Sequence, residues 1–351
     1  MGTDKVLMKG NEAIAEAAIM AGCRHFFGYP ITPQTEVAAY MAKRMPNVGG
    51  VYLQAESEVA SINMILGASS AGARVLTSSS SPGISLMAEG ISYLAGCDLP
   101  AVIVNIQRGG PGLGGIQPSQ ADYYQATRST GHGDFHILVL APNSVQEMCD
   151  LTIQAFDLAD KHRMPAMILG DGILGQMMEP VELKAPEVKP VDKPWAVGSG
   201  KDKNIINSLW LNPALLEKTN FDRFERYKKA EEEAMWEEHL LEDADVAVVA
   251  YGATSRIAKS AISMARAKGI KAGLLRPITL WPYPKKPFEE LAERVSSFVV
   301  AELSMGQMID DVRLATKCKK PVLFSGRTGG MVHSPEEILD KIIEAAEGVE
   351  K

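Results

Sequence analysis

The 351-residue sequence has no apolar run approaching the roughly 20 residues that a helix needs to cross a bilayer. A helical membrane span is thereby excluded. Cysteine is scarce: Cys23, Cys97, Cys149 and Cys318 stand far apart, with no Cys-x-x-Cys pair and no Cys/His grouping. That excludes a zinc site or an iron-sulfur cluster held by this chain, and isolated cysteines in core elements read as small hydrophobes. Positive charge is also in deficit, 36 Lys and Arg against 43 Asp and Glu, for a formal charge of −7. No basic stripe forms, so a nucleic-acid surface is excluded, and the short run Lys285–Lys286 reads as solvated. Fixed-period repeats and low-complexity tracts are missing too. The opening MGTDKVLMKGNEA carries acidic and polar residues where an export signal needs apolar ones, so a cytoplasmic location is expected.

What is present is an alternation of strand and helix patterns with short connections, the pattern of a parallel sheet covered on both faces. Six strands are predicted in the first half: RHFFGY (24–29), GGVYLQ (49–54), RVLTSS (74–79), PAVIVNIQR (100–108), HILVLAP (136–142) and PAMILGD (165–171). A helix precedes the first, with Asn11 as its start and Gly22 as its stop. Residues 180–200 hold four prolines without a period and read as an extended linker crossing between domains. The charged stretch FDRFERYKKAEEEAMWEEHLLED then reads as a helix, an exposed connecting arm. From Asp245 the alternation resumes with VAVVAYG, IKAGLLRP, SSFVVAEL and PVLFSG separated by helices. The expected division is a first domain over 1–180, a linker and connecting helix over 181–243, and a smaller α/β domain over 244–351.

Loops leaving the carboxyl ends of parallel strands open on one edge, where open α/β sheets bind ligands. That edge receives residues 28–33, 55–58, 78–82 and 108–118. In GYPITP (28–33), Thr32 is placed to cap a helix whose first position is Pro33. A helix start there would offer free NH groups and a positive dipole end to a carboxylate or phosphate, or simply begin the helix. Glu56 and Glu58 open the next helix and point apart; acidic residues in a first turn also serve the dipole alone. Arg108 ends a strand beside GGPGLGG, a cation next to a loop that lets a ligand approach the backbone. Gly110, Gly112 and Gly115 match G-x-G-x-x-G, but Pro111 and Pro118 interrupt the turn and no helix opens at the third glycine, which speaks against a dinucleotide. ILGDG (168–172) resembles the start of a metal-diphosphate motif, yet a proline-rich segment fills the space before the candidate partner Asn204, and it is set aside. His132 and His136 precede a strand, on the opposite edge, and read as structural or subunit-facing.

The stretches GYPITPQTE, ESEVASINMILGASSAGARVLTSSSSPGISLMAEGISYLA and VNIQRGGPGLGGIQPSQADYYQA resemble the alpha subunit of 2-oxoacid:ferredoxin oxidoreductases, and the resemblance covers nearly the whole chain. GGPGLGGIQPSQADYYQA and GHGDFHILVLAPNSVQE are most similar to the branch acting on branched-chain 2-oxoacids such as 3-methyl-2-oxobutanoate. The resemblance implies a thiamine-diphosphate-binding-like, doubly wound parallel sheet of the pyrimidine type followed by a transketolase C-terminal-like domain. It implies that thiamine diphosphate is shared with a beta subunit, that Mg²⁺ and iron-sulfur clusters belong to partner chains, and that gamma and ferredoxin-like delta subunits complete the complex. Coenzyme A would take the acyl group and ferredoxin the electrons. By matching positions, Glu58 would hydrogen-bond the pyrimidine nitrogen, with Tyr29, Pro30 and Ile31 lining the cofactor, and Thr32 and Arg108 would hold the 2-oxoacid carboxylate. An acid against the ring can shuttle the proton that activates the cofactor, and a fixed cation and hydroxyl orient the substrate for loss of CO₂. 2-Oxoglutarate or pyruvate are the alternatives within the family; a distal carboxylate would want a further cation, and loop 109–118 offers small and apolar residues plus Gln117. A non-catalytic scaffold subunit is the alternative outside it.

Overall fold

A computed structural model describes residues 5–128, 130–186, 191–199 and 204–348. In chain order the first half comprises β1 (Val6–Lys9), α1 (Gly10–Met20), β2 (His25–Gly28), α2 (Thr35–Arg44), β3 (Val51–Gln54), α3 (Glu58–Ser70), β4 (Val75–Ser79), α4 (Pro82–Gly96), β5 (Val102–Gln107), α5 (Tyr123–Thr127), β6 (Leu138–Leu140), α6 (Val145–His162), β7 (Ala166–Asp171), α7 (Gly172–Gln176) and β8 (Met178–Val181). The second half comprises α8 (Pro213–Ala230), β9 (Trp236–His239), β10 (Val246–Val249), α9 (Gly252–Ala267), β11 (Ala272–Pro277), β12 (Thr279–Trp281), α10 (Lys285–Ala292), β13 (Ser297–Glu302), α11 (Met308–Ala315), β14 (Val322–Gly326) and α12 (Pro335–Glu347).

The larger sheet runs β12-β6-β7-β5-β4-β2-β3. Its six strands from the first half pair in parallel. Strands β4, β5 and β7 are buried throughout, as expected of a sheet covered on both faces. Val75, Ile103 and Met167 pack with α3 and α4 on one side; Leu76, Val104 and Ile168 pack with α1, α2 and α6 on the other. The seventh strand is a departure from the sequence reading: β12 comes from the second half and adds antiparallel to β6. A three-residue strand leaves no period to read. The antiparallel pair β1–β8 was likewise not anticipated, being four residues each with Pro180 inside.

The second sheet runs β14-β13-β10-β11-β9, with β9 alone antiparallel. Strand β9 and α8 correct the expected helix over 221–243. Asn212 accepts a bond from Ala214 N and Pro213 occupies the first helical position, so the helix starts earlier. It stops at Ala230, and residues 236–239 alternate exposure and pair with β11. Nor is α8 a free arm, because Arg223, Tyr227 and Ala230 are buried, Arg223 pairing with Asp98 at 2.9 Å. The linker also differs from an extended crossing. Residues 191–199 lie on the first domain, with Lys193 Nζ 2.6 Å from Asp160 and Val197 N bonded to Ser70 O; residues 187–190 and 200–203 fall outside the described ones. Asn11 does not cap α1; Lys9 does, and Asn11 is buried in the first turn. Cys23 and Cys149 are buried, their thiols pushed up to about 12 mainly by that burial, whereas Cys318 is exposed rather than in the core.

Gln120, fully buried, fastens the two halves. Its Nε2 donates to Tyr251 O at 2.9 Å, and its Oε1 accepts from Thr254 Oγ1 at 2.9 Å and Leu303 N at 3.0 Å. Asp171, the acid of ILGDG, serves the structure, since Oδ1 caps α7 through Ile173 N and Leu174 N while Oδ2 accepts from Ala253 N at the start of α9. Truncating Gln120 to Ala strands three polar groups, so it is expected to lower stability by about 2–4 kcal/mol in urea denaturation. Burial raises the Asp171 carboxyl from 3.8 to about 6. The native state then holds a proton that the unfolded chain releases, so Asp171's contribution to stability is full below about pH 4 and is lost as pH rises through about 6. Asp171→Asn is expected to flatten that part of the stability–pH profile.

Candidate functional site

Strand β2 ends at Gly28 and delivers the GYPITP corner to the rim. Three of the corner's carbonyls are held by side chains, from the adjoining Gln34 and from Asn11, Gln176 and Arg108 of other elements. Gln34, fully buried, donates to Tyr29 O at 3.2 Å and accepts from Ser78 Oγ at 2.6 Å, pulling the corner onto β4. Asn11 Nδ2 and Gln176 Nε2 donate to Pro33 O at 2.8 and 3.2 Å. Arg108 Nη1 donates to Thr32 O at 3.0 Å. The expected helix start at Thr32 is therefore corrected: Gln34 is the cap residue and α2 begins at Thr35. The first turn is closed from Gln34, whose carbonyl accepts from Val37 N at 2.9 Å. Tyr29, Pro30 and Thr32 are exposed on this corner and Ile31 is half-buried.

Arg108 follows β5 and is only 7% exposed. Besides Thr32 O, its guanidinium donates through Nη2 to Leu113 O at 3.2 Å, while Nε has no partner among the described residues. Two of its five N–H donors thus hold the rim, leaving others for an acceptor. The glycine loop closes on itself through Gly109 N to Gln117 O and Gly115 N to Gly109 O. Gly114 adopts φ 57°, and a methyl there would lie 1.8 Å from Gly109 O, so only glycine fits. Leu113 and Ile116 stand out from this loop, 80% and 58% exposed.

Glu58 is the first residue of α3, behind the cap Ser57, whose Oγ accepts from Ala60 N. The two rim acids differ as expected: Glu56 is exposed and Glu58 is 6% exposed. Among the described residues the Glu58 carboxyl has no hydrogen-bond or ion-pair partner. It lies against Gly83 in α4, where an added methyl would sit 2.7 Å from Glu58 Oε1 and 2.0 Å from Ser79 Oγ. Gly83 thus lets Ser79 and Glu58 pack directly against its backbone, and the Glu58 carboxyl keeps its hydrogen-bonding capacity free.

The turn from β4 to α4 joins Glu58 to Arg108. Ser81 sits at φ 22°, ψ −79° with its hydroxyl donating to Asp122 Oδ2 at 2.6 Å and accepting from Arg108 N at 3.1 Å. Asn105 completes the set, accepting from Ser81 N and donating to Asp122 Oδ2. Burial raises the Asp122 carboxyl above the ordinary range. Sequence reasoning missed this trio; its one signal was an asparagine within the apolar strand VIVNIQ. The structure thus brings Arg108 and Thr32 into contact and sets Glu58 beside the same turn. His136 is elsewhere, stacked on Trp281 with ring centroids 4.6 Å apart, and His132 lies on an exposed loop. No three His, Cys, Asp or Glu side chains among the described residues group as a metal site would need.

Residues 16–241 match the family model for the thiamine-diphosphate-binding part of pyruvate flavodoxin/ferredoxin oxidoreductases, and residues 244–338 match core domain II of pyruvate:ferredoxin oxidoreductase. The chain is 51% identical to ketoisovalerate oxidoreductase subunit VorB of Methanothermobacter marburgensis over 97% of each. It is 38% identical to 2-oxoglutarate synthase subunit KorA of Methanothermobacter thermautotrophicus, over 97% of this chain and 99% of that one. Among solved structures, 2-oxoglutarate:ferredoxin oxidoreductase from Magnetococcus marinus superposes with a TM-score of 0.86 at 27% identity, covering 98% of this chain and 65% of that one. A split-gene transketolase, at 16% identity and a TM-score of 0.61 over 99% of both, shares the fold.

The close packing at Gly83 can be probed directly. Gly83→Ala is expected to cost about 1–3 kcal/mol in urea denaturation, since the methyl must displace Ser79 or Glu58. Gly67→Ala in α3, where nothing lies within 4 Å, is expected to be neutral or stabilising by up to about 1 kcal/mol.

Proposed function

The chain belongs to the pyruvate flavodoxin/ferredoxin oxidoreductase family, and from that premise we propose that it is the subunit supplying the pyrimidine side of a thiamine diphosphate site in a branched-chain 2-oxoacid:ferredoxin oxidoreductase. The reaction is the coenzyme A-dependent oxidative decarboxylation of 3-methyl-2-oxobutanoate. The 2-oxoacid and coenzyme A give acyl-CoA and CO₂, and two electrons pass to ferredoxin. The single observation that carries the reading is Glu58, 6% exposed and with a carboxyl that has no partner among the described residues, packed against Gly83 beside the turn that also holds Arg108.

When bound, thiamine diphosphate supplies the nucleophilic carbon and the electron sink that decarboxylation requires. Glu58 holds the proton that passes to and from the ring nitrogen. Tyr29, Pro30 and Ile31 border the ring beside it. Arg108 and the Thr32 hydroxyl orient the substrate carboxylate; Arg108 has donors left after binding Thr32 O and Leu113 O. The Asp122–Ser81–Asn105 set holds the backbone of Arg108 in register. The diphosphate with Mg²⁺ would be bound by a beta subunit, and gamma and ferredoxin-like delta subunits would carry the clusters and electrons onward.

The substrate choice rests on two observations. Identity to the relative named for ketoisovalerate, 51%, exceeds the 38% to the relative named for 2-oxoglutarate. Loop 109–118 presents Leu113 and Ile116 and no cation beyond Arg108, which suits an aliphatic tail and gives a distal carboxylate no cationic partner.

Anaerobic co-purification followed by assay of several 2-oxoacids with coenzyme A tests the reading; the expected preference is for 3-methyl-2-oxobutanoate, and turnover of 2-oxoglutarate or pyruvate in its place would overturn it. In the assembled complex, Glu58→Gln is expected to lower kcat by about a hundredfold or more. Arg108→Lys is expected to lower kcat/KM for the 2-oxoacid by about tenfold while leaving cofactor affinity unchanged, since lysine cannot pair bidentately.

A further inference from the structure

Arg108 stands at the base of the glycine loop, and that base is closed by the second half of the chain. Gly109, the next residue, is buried; a methyl there would lie 3.4 Å from Gly330 N and 3.5 Å from Gly329 C, so its backbone packs on theirs. Gln117, whose carbonyl accepts from Gly109 N at 2.9 Å, packs on Gly330 from the other side of the loop. A methyl on Gly330 would overlap Gln117 Cβ, with Cγ at 3.1 Å and Cα at 3.6 Å, and Gly330 holds φ 93°. The turn carrying Gly330 is itself fixed. Arg327 N donates to Glu302 O and Arg327 Nε to Glu337 of α12, each at 3.1 Å, while buried His333 donates through Nε2 to Ser325 O at 3.1 Å.

We propose that Gly330 is a positioning residue for Arg108: its bare backbone lets the second half seat both ends of the glycine loop and so sets where the guanidinium meets the 2-oxoacid carboxylate. The inference rests on the assignment of Arg108 to that carboxylate. The route is short. Gly109 adjoins Arg108 in the chain, Arg108 and Pro118 form an antiparallel bridge across the base, and Leu113 O within the loop accepts from Arg108 Nη2 at 3.2 Å. A side chain on Gly330 must push turn and loop apart, because close-packed backbone has no slack to absorb it. The guanidinium moves with the loop, and a misplacement of about 1 Å is enough to weaken an oriented pair severely. Glu58 comes from α3 and takes no part in this contact.

In the assembled enzyme, Gly330→Ala is expected to raise KM for 3-methyl-2-oxobutanoate about tenfold, while kcat, KM for coenzyme A and the calorimetric affinity for thiamine diphosphate stay within about twofold. Gly329→Ala, at φ 65° but with nothing within 4 Å of the added methyl, shares the unfavourable backbone and is expected to leave that KM unchanged. Gln117→Gly removes the same contact from its other side, at a position outside the left-handed region, and is expected to raise KM about threefold or more. Added to it, Gly330→Ala has no further effect. An unmoved KM in Gly330→Ala and Gln117→Gly, with kcat/KM still lowered by Arg108→Lys, overturns the role of Gly330 alone. So does an equal rise in Gly329→Ala, or a loss of cofactor affinity in step with KM. If Gly330→Ala does not assemble, Gln117→Gly decides by itself. Kinetics indifferent to Arg108→Lys overturn the assignment of Arg108 and with it this inference.

Discussion

Six consecutive residues, Ser78 to Gly83, hold the rim together. Ser78 anchors Gln34 and through it the Tyr29 carbonyl of the corner; Ser81 anchors Arg108 and Asp122; Gly83 makes room for Glu58 and Ser79. Each tie is short and most are buried, so the positions of an acid, a cation and a proline corner from three different strands are not independent. The cost is local: Ser81 adopts a backbone conformation that side chains rarely take, and the Ser79 and Ser80 hydroxyls have no partner among the described residues.

The second half of the chain supports this rim from one side. Gln120, in the loop before α5, and Asp171, the last residue of β7, both bond the start of α9; Gln120 also reaches Leu303. Tyr123 OH reaches Asp311 at 2.6 Å, and β12 completes the first sheet. The loop carrying Arg108 is pinned at both ends, by β5 on one side and by Gln120 on the other. The glycine turn between them also meets Gly329 and Gly330 of the second half. Such attachment keeps a loop made largely of glycine in one conformation despite its entropy.

Much of the fold was legible because parallel strands buried on both faces are continuous apolar runs, as in VIVNIQ and AMILGD. The elements that escaped were short or half-exposed: β1, β8 and β12 have three or four residues each, too few for a period, and β9 hid within a charged stretch whose composition favoured helix. At the candidate site, Glu58, Thr32 and Arg108 were picked out because loop position and residue chemistry agree there. The Ser81–Asn105–Asp122 set was not, because its members meet across 17 to 41 residues of chain.

The sequence by itself determined the alternating architecture, the edge on which the candidate residues lie and the family, since these follow from periodicity, strand direction and contiguous motifs. Tertiary structure alone decided that the proline corner is held by side-chain donors rather than starting a helix, that Asp171 caps and clamps, and that Ser79 and Glu58 pack against Gly83. Hydrogen bonds between distant residues depend on three-dimensional distance, and no spacing along the chain encodes it.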